Sequence, residues 1–195
     1  MERIAQRHIR AIRLRSIRSE SSEVGPFRIG PSAIDKRTTQ MSFRITGLDS
    51  DQFSHLYGMT DEELAKHGAR RKVLAEGSVV PDRIELREVR AGETAILLNY
   101  LHQPADTAYR ASHAIFIREG AVQSCNEVDV IPDLLKTRLI SLRAFSHEHE
   151  LAAADVVDGD QLPPLIEKFF NDPAVAYLHA HYARPGCYAA KIERA

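Results

Sequence analysis

The segment YLHAHYARPGCYAAKI, residues 177–192, holds the densest group of reactive side chains in the sequence. His179 and His181 stand two residues apart, and an arginine, a Pro-Gly pair and one of the two cysteines follow. Residues two apart in a β-strand share a face, so the two imidazoles could converge on one divalent metal ion. Cys187 or a carboxylate could supply a third ligand. So could one of four other histidines, which are His102, His113, His147 and His149.

Cys187 offers a second chemistry, which is nucleophilic attack by a thiolate. A thiolate forms near neutral pH beside a cation or a histidine. Arg184 is therefore predicted to supply the charge, and His113 or His181 to act as general base. The competing interpretation is structural, because a cysteine that starts a C-terminal strand is often a small buried apolar residue.

The segment NYLHQPADTAYRASHAIF, residues 99–116, is a polar connection between two apolar stretches. Loops held on a rigid scaffold commonly bind ligands, so this loop and the 177–192 hairpin are predicted to form one pocket. Arg184 would clamp an anionic group there. The other predicted ligand-binding residues are His102, Gln103, Tyr109 and Ser112. Alternatively, the polar groups of this connection satisfy one another.

A second His-x-His motif, SHEHE, occupies residues 146–150. Alternating polar residues near the end of a strand usually mark a solvated edge or loop. We therefore regard this motif as a weaker metal candidate than His179 and His181.

Short alternating segments separated by turns indicate the elements that must position these residues. The patterns predict strands at Ser42–Thr46, ARRKVLAE, RIELREV, TAILLNYLHQ, ASHAIFIRE, LISLRAFSHE and LAAADVVDG. A hairpin about Pro185-Gly186 follows, because this pair suits the central positions of a type II turn. Many strands with short connections and few helices predict an α+β fold with a mostly antiparallel sheet.

Three helical segments interrupt the strands. DSDQFSHLYG predicts a short helix closed by Gly58. TDEELAKHG carries Thr60 and Glu63 at capping-box spacing, and DQLPPLIEKFFNDP places two prolines in the first turn of an amphipathic helix. A further short helix is predicted through DLLKTR after Pro132.

Residues 1–40 differ from the rest in charge, with nine Lys and Arg against four Asp and Glu. Three interpretations remain open: a transit-type peptide, an arm for nucleic acid or membrane, and a disordered tail added by an upstream start codon. We favour the tail, since the pattern changes abruptly at Met41. The predicted organisation is a basic tail over residues 1–40 and a single α+β domain over residues 41–195.

The composition of residues 41–195 restricts the function. This part is mildly acidic, with 17 Lys and Arg against 23 Asp and Glu, which argues against nucleic-acid binding by the main domain. No apolar run reaches the roughly 20 residues of a membrane span. Two cysteines are too few for a disulfide framework, so we expect free thiols in a reducing cytoplasm. A Gly-rich phosphate loop and the His-Glu-x-x-His, Gly-x-Ser-x-Gly and Cys-x-x-Cys motifs are absent from the sequence.

Three segments, MSFRITGL, LLNYLHQPADTAYRASHAIFIREGA and HAHYARPGCYAAKI, together resemble the bacterial domain-of-unknown-function 1203 family. The resemblance spans about residues 41–195 and implies no established activity. It groups the candidate residues into two blocks: His102, Gln103, Pro104, Tyr109, Ser112 and His113, and then His179, His181, Arg184, Pro185, Gly186 and Cys187. Family members often carry Asn at the position of Tyr182 and Cys near that of Asp82. The latter departure puts a two-cysteine or Cys-metal mechanism in doubt here.

Three functions compete. The first is an enzyme that uses Cys187 or a water on a histidine-bound divalent metal as nucleophile. The second is a non-catalytic module that binds a small anion or metabolite in the same pocket. The third is a structural protein that forms a homodimer through a strand edge.

Overall fold

The computed structural model describes residues 41–195, and our predictions for residues 1–40 lie outside the described residues. The strands are β1 (Phe43–Thr46), β2 (Arg70–Val73), β3 (Val80–Pro81), β4 (Glu88–Val89), β5 (Thr94–Gln103), β6 (Ala111–Arg118), β7 (Asn126–Val128), β8 (Leu139–Ser146), β9 (Leu151–Asp158), β10 (Val175–Tyr182) and β11 (Tyr188–Arg194). The α-helices are α1 (Asp61–Lys66), α2 (Asp133–Lys136) and α3 (Leu162–Phe170). The predicted α+β class with mostly antiparallel sheet is confirmed.

A six-stranded antiparallel sheet forms the larger layer, in the order β7-β1-β11-β10-β8-β9. The β10 strand lies inside this sheet, between β11 and β8, and all but one of its residues are buried. Its alternation places Tyr177, His179 and His181 on one face and Leu178, Ala180 and Tyr182 on the other. The two faces of β10 therefore contact different cores.

Helix α3 covers the face of the large sheet that carries Leu178 and Ala180. Its buried residues Leu165, Ile166 and Phe169 belong to the same apolar cluster as these strand residues. Pro163 and Pro164 are the second and third residues of this helix and are tolerated because no intrahelical N–H bond is lost in the first turn. This side of the sheet is a conventional apolar core.

A three-stranded antiparallel sheet, in the order β2-β5-β6, packs against the opposite face. Ile96 of β5 and Ile115 and Ile117 of β6 share a core cluster with Tyr188 of β11. His113 lies two residues before Ile115, so it continues this inward-facing row. The two sheets thus enclose an interface that is apolar at one end and rich in histidine at the other.

Helix α1 begins with the predicted capping box. The Thr60 hydroxyl accepts from the backbone N–H of Glu63, and the Glu63 carboxylate accepts from the N–H of Thr60. The segment DSDQFSHLYG forms two 3-10 turns, Ser50–Gln52 and Ser54–Leu56, in place of the predicted single helix.

The strand predicted over RIELREV is wrong for residues 83–87, which form a bent loop between β3 and β4. The Asp82 carboxylate accepts from the backbone N–H groups of Glu85 and Arg118, which curls the chain. Leu86 has a positive φ of 51°. The loop passes so close to Gly47 that a Cβ there would lie 1.9 Å from the Ile84 carbonyl oxygen. This approach turns the Arg83 side chain into the protein, where only 1% of its surface is exposed.

Within residues 41–195, no helix is both long and apolar enough to cross a membrane.

Candidate metal centre

Four histidines from three strands meet between the two sheets. His102 from β5 stacks on His113 from β6, with ring centroids 4.7 Å apart and planes within 7°. The rings of His179 and His181 from β10 lie edge-on to His102, at centroid distances of 5.6 and 5.1 Å. The ring of Tyr188 stacks on His102, so that His102 lies between two aromatic rings. The four imidazole rings, which come from the β5-β6 hairpin and from β10, therefore form one contiguous cluster.

A β-bulge places His102 in this cluster. Leu101 pairs with Ser112 and Gln103 pairs with Ala111, so His102 is the extra residue of β5. A bulge locally increases the twist and re-aims a side chain. Because His113 points inward, its neighbour Ser112 belongs to the opposite face of β6 and is exposed.

Three of the histidines satisfy the spacing for a shared ion. His102, His179 and His181 each offer a ring nitrogen, and these nitrogens all lie within 4.8 Å of one another. Two Zn–N bonds at a tetrahedral angle place their nitrogens roughly 3.4 Å apart, a distance that lies inside this limit. His113 stands beside this trio as a stacking neighbour of His102.

Most ring nitrogens of the cluster lack hydrogen-bond partners among residues 41–195. Both nitrogens of His102, Nδ1 of His113, Nδ1 of His179 and Nε2 of His181 are buried without one. Buried polar groups are normally paired, and each unpaired one costs about 1–3 kcal/mol. Five such nitrogens in one cluster point to a ligand rather than to packing alone.

Burial keeps these imidazoles neutral. It lowers the pKa of His102 to about 4, of His181 to about 3 and of His179 to about 2, and the neighbouring histidines and Arg143 lower these pKa values further. The pKa of His113 is lowered for the same reasons of burial and the Arg143 charge. A neutral imidazole carries the lone pair that a metal ion needs, and no proton has to be displaced.

One cleft of about 490 Å³ opens onto the centre, and its lining includes His102 and His179. Gln103, Tyr177 and His149 form a hydrogen-bonded chain on its wall. The amide of Gln103 donates to the Tyr177 hydroxyl at 2.7 Å, and Nδ1 of His149 lies 3.0 Å from the same oxygen. Lys191 places its ammonium group 5.2 Å from the Tyr177 ring centre. The cleft thus places polar groups beside His102 and His179.

The remaining predicted site residues lie elsewhere. Cys187 and Arg184 line a second cavity, together with His113. The sulfur of Cys187 accepts a hydrogen bond from Arg83 at 3.0 Å, and no histidine of residues 41–195 is within hydrogen-bond reach of it. Tyr109 is 39% exposed in the loop after β5, its ring edge against Phe145. The loop itself is confined to residues 104–110, because residues 99–103 and 111–116 belong to β5 and β6.

In the SHEHE segment, His147, Glu148, His149 and Glu150 are exposed in the turn between β8 and β9. His149 has a positive φ of 64° there and contacts Tyr177. It thereby reaches the wall of the cleft.

Four residues of the centre and its surroundings were not predicted from the sequence: Tyr177, Tyr188, Arg143 and Arg83. Tyr177 stands two residues before His179, and its period-2 spacing was a usable signal. Arg143 pairs with His179 across β8 and β10, a relationship that depends on strand order. Tyr188 and Arg83 likewise join the centre or its surroundings only through packing.

These features define an α+β protein of two facing antiparallel sheets with a buried histidine cluster between them. The family model described as Protein of unknown function (DUF1203) matches residues 79–194. The chain belongs to this family. The match includes all four clustered histidines and begins after β2. Searches of curated proteins and of solved structures find no match.

Proposed function

We propose that this protein is a metalloenzyme whose centre holds one divalent transition-metal ion through His102, His179 and His181. The observation that carries the proposal is their convergence: three buried imidazoles present ring nitrogens within 4.8 Å of one another, and most of these nitrogens have no other partner within residues 41–195. Imidazole ligands suit zinc, copper, iron and nickel. Zinc is the first expectation, since it accepts three protein ligands and keeps a fourth position open in catalytic sites.

A hydrogen bond outside the trio supports coordination by His181. Its Nδ1 lies 3.1 Å from the carbonyl oxygen of Gly186. A carbonyl only accepts, so Nδ1 carries the proton and Nε2 keeps its lone pair free. Metal-binding histidines typically donate their second nitrogen in this way.

The charge of the centre favours activation of a bound water. All three proposed ligands are neutral, so the ion would keep its full double charge and would lower the pKa of a bound water strongly. Arg143 adds a positive charge next to the cluster, and within residues 41–195 it makes no ion pair. This cation makes an anionic fourth ligand, such as hydroxide or a substrate oxygen, more favourable.

The cleft supports hydrolysis or hydration of a small molecule. Its volume of about 490 Å³ suits a metabolite, and His102 and His179 form part of its wall. Tyr177 and His149 lie on the same wall, and we propose that they exchange protons with a bound substrate. Cys187 lines the other cavity, so the geometry favours a metal-activated water over this thiol as the nucleophile of the cleft.

The cellular compartment and the substrate class of this enzyme are part of the same proposal. The two free thiols, Cys125 and Cys187, support a reducing compartment such as the cytoplasm. The acidic balance of residues 41–195 supports a small-molecule substrate rather than nucleic acid. A homodimer stays a prediction.

Metal analysis of the purified full chain, loaded with Zn²⁺ and then desalted, tests the proposal. We expect about one equivalent for the wild type, since three ligands define one site. His179→Gln and His181→Gln should each lose most of it. His55→Gln is the matched control, because His55 and His67 form a histidine pair on the surface, with ring centroids 5.6 Å apart.

Cobalt loading of the wild type provides a measurement that depends on no variant. A tetrahedral or five-coordinate histidine site gives intense visible bands, whereas surface-bound cobalt does not. Less than a tenth of an equivalent of retained zinc together with no such bands would exclude the centre.

A further inference from the structure

A second cavity, of about 1190 Å³, has His113 in its lining. Its walls come from β5 and β6, from the end of β10 and the turn that follows it, from Pro81 and Arg83, and from residues 136–139 and 158–160. None of the three proposed metal ligands lines it. It is therefore a cavity separate from the proposed metal centre.

Arg83 brings a buried positive charge to this cavity. Its side chain is 1% exposed, and no carboxylate of residues 41–195 lies within ion-pair distance of it. The guanidinium donates to the carbonyls of Pro81 and Tyr188 and to the sulfur of Cys187. These contacts use three of its five N–H groups. A buried charge without a counter-ion is costly, so the remaining donors favour an anion.

The hydroxyl of Tyr182 is a second unused donor. Tyr182 lines the cavity and is 4% exposed, and its buried oxygen has no hydrogen-bond partner within residues 41–195. Two guanidiniums face its ring, that of Arg83 at 5.0 Å and that of Arg138 at 5.6 Å from the centroid. A phenol O–H flanked by two cations is a suitable donor to a negatively charged oxygen.

The rest of the lining combines positive charge with apolar surface. The lining contains two carboxylates, Asp158 and Asp160. It also contains four cationic side chains, which are those of Arg83, Lys136, Arg138 and Arg184. Arg138 is engaged with Glu88 and Lys136 with Asp133, while the exposed Arg184 makes no ion pair within residues 41–195. The apolar part of the wall is formed by Leu97, Phe116 and Leu139.

We propose that this cavity binds a small organic anion with an apolar body. A carboxylate or phosphate head would accept hydrogen bonds from the Tyr182 hydroxyl and Arg83, with Arg184 at the mouth. The apolar body would lie along Leu97, Phe116 and Leu139. This site does not depend on the metal centre, and the failure of one proposal leaves the other intact.

Protection of Cys187 from alkylation reports occupancy of the cavity directly. Octanoate and octyl phosphate serve as the two anionic probes, and 1-octanol is the neutral probe of equal length. Iodoacetamide labelling of the full chain is followed peptide by peptide. Cys125 is the internal reference, because it lies outside the cavity. We expect both anions, or the one whose head group fits, to slow the labelling of Cys187 at concentrations at which 1-octanol does not.

Tyr182→Phe removes the proposed donor while breaking no hydrogen bond within residues 41–195, so the variant should fold with an unchanged melting temperature. By calorimetry we expect it to bind the preferred anion roughly ten-fold more weakly, as a hydrogen bond to a charged group predicts. Arg184→Gln should also weaken binding, whereas Arg110→Gln should not, because Arg110 is exposed in the loop of residues 104–110 and lines neither cavity. Equal protection by 1-octanol and the anions would overturn the proposal, and so would wild-type affinity in Tyr182→Phe.

Discussion

Nδ1 of His181 lies 3.1 Å from the carbonyl oxygen of Gly186, so the hairpin turn and a proposed metal ligand are joined directly. Gly186 adopts a φ of 76°, in the left-handed region that favours glycine. Its own N–H donates to the carbonyl of Tyr182, which closes the turn. The conformation of this glycine therefore sets the position of the oxygen that holds the His181 ring.

Gly186→Ala should weaken metal binding through this contact. The alanine strains the left-handed conformation, and relief of the strain moves the carbonyl away from His181. Loss of an outer hydrogen bond typically costs about 10–100-fold in metal affinity. We expect a loss of this size in a competition titration with a chromophoric chelator.

Gly77→Ala is the matched control for this variant. Gly77 also has a φ of 76°, and at both positions an added Cβ meets no atom within 4 Å. Both variants should therefore lose about 1 kcal/mol of unfolding free energy, but only Gly186→Ala should lose metal affinity. Equal affinities in the two variants would show that the turn does not position His181.

Replacement of single rings by phenylalanine should separate the ligands from their neighbour. His102→Phe keeps an aromatic ring between His113 and Tyr188 but removes a ligand, so metal content should fall well below one equivalent. His113→Phe keeps the stacking and leaves the trio intact, and it should retain about one equivalent. Metal analysis after desalting distinguishes the two, and a loss in His113→Phe would instead make His113 a fourth ligand.

The metal-free protein should lose stability as the pH falls below about 6.5. The unfolded chain protonates His179 and His181 near this value, whereas burial lowers their pKa to about 2 and about 3 in the folded state. Between these limits the unfolded state binds more protons, so the unfolding free energy decreases as pH decreases. Each histidine contributes about 1.4 kcal/mol per pH unit. The contribution of these groups to the slope declines towards zero above pH 7.

Urea unfolding between pH 4.5 and 7.5 measures this slope. His179→Gln should show a slope smaller by about 1.4 kcal/mol per pH unit, because one titrating group is gone. An unchanged slope in this variant would contradict the assignment of His179 as a buried neutral imidazole.

Tyr177→Phe should destabilise the fold without removing the metal. The Tyr177 hydroxyl accepts from Gln103, whose side chain is only 2% exposed. Loss of that acceptor leaves a buried amide unpaired and costs about 1–3 kcal/mol. Tyr100→Phe is the comparison. The Tyr100 hydroxyl donates to the exposed side chain of Gln52, so its removal should lower the unfolding free energy by less. Urea unfolding and metal analysis together check both parts, and metal loss in Tyr177→Phe would assign Tyr177 to the centre itself.

Local patterns in the sequence predicted much of the framework. Period-2 alternation placed His179 and His181 on one face of β10, and Pro185-Gly186 marked the turn before β11. The capping box at Thr60 is present as predicted. Such features depend on residues within a few positions of one another, and their physical causes are contained in a short segment.

The prediction of a strand through RIELREV failed for a tertiary reason. Alternation of apolar and charged residues is normally read as a half-buried strand. Here the Asp82 carboxylate accepts hydrogen bonds from two backbone N–H groups, one of them from β6. Arg83 is consequently buried, although an arginine in an alternating segment is expected to face solvent.

The sequence by itself determined the class of fold, the faces of the strands and the two segments that carry the histidines. Only the tertiary structure decided that His102, from a bulge in β5, meets His179 and His181 on β10, and that Cys187 faces Arg83 instead of a histidine. Periodicity determines which side chains share a face, because it arises from local backbone geometry. It does not determine which faces meet, because that depends on strand order and on the packing of residues about 80 positions apart.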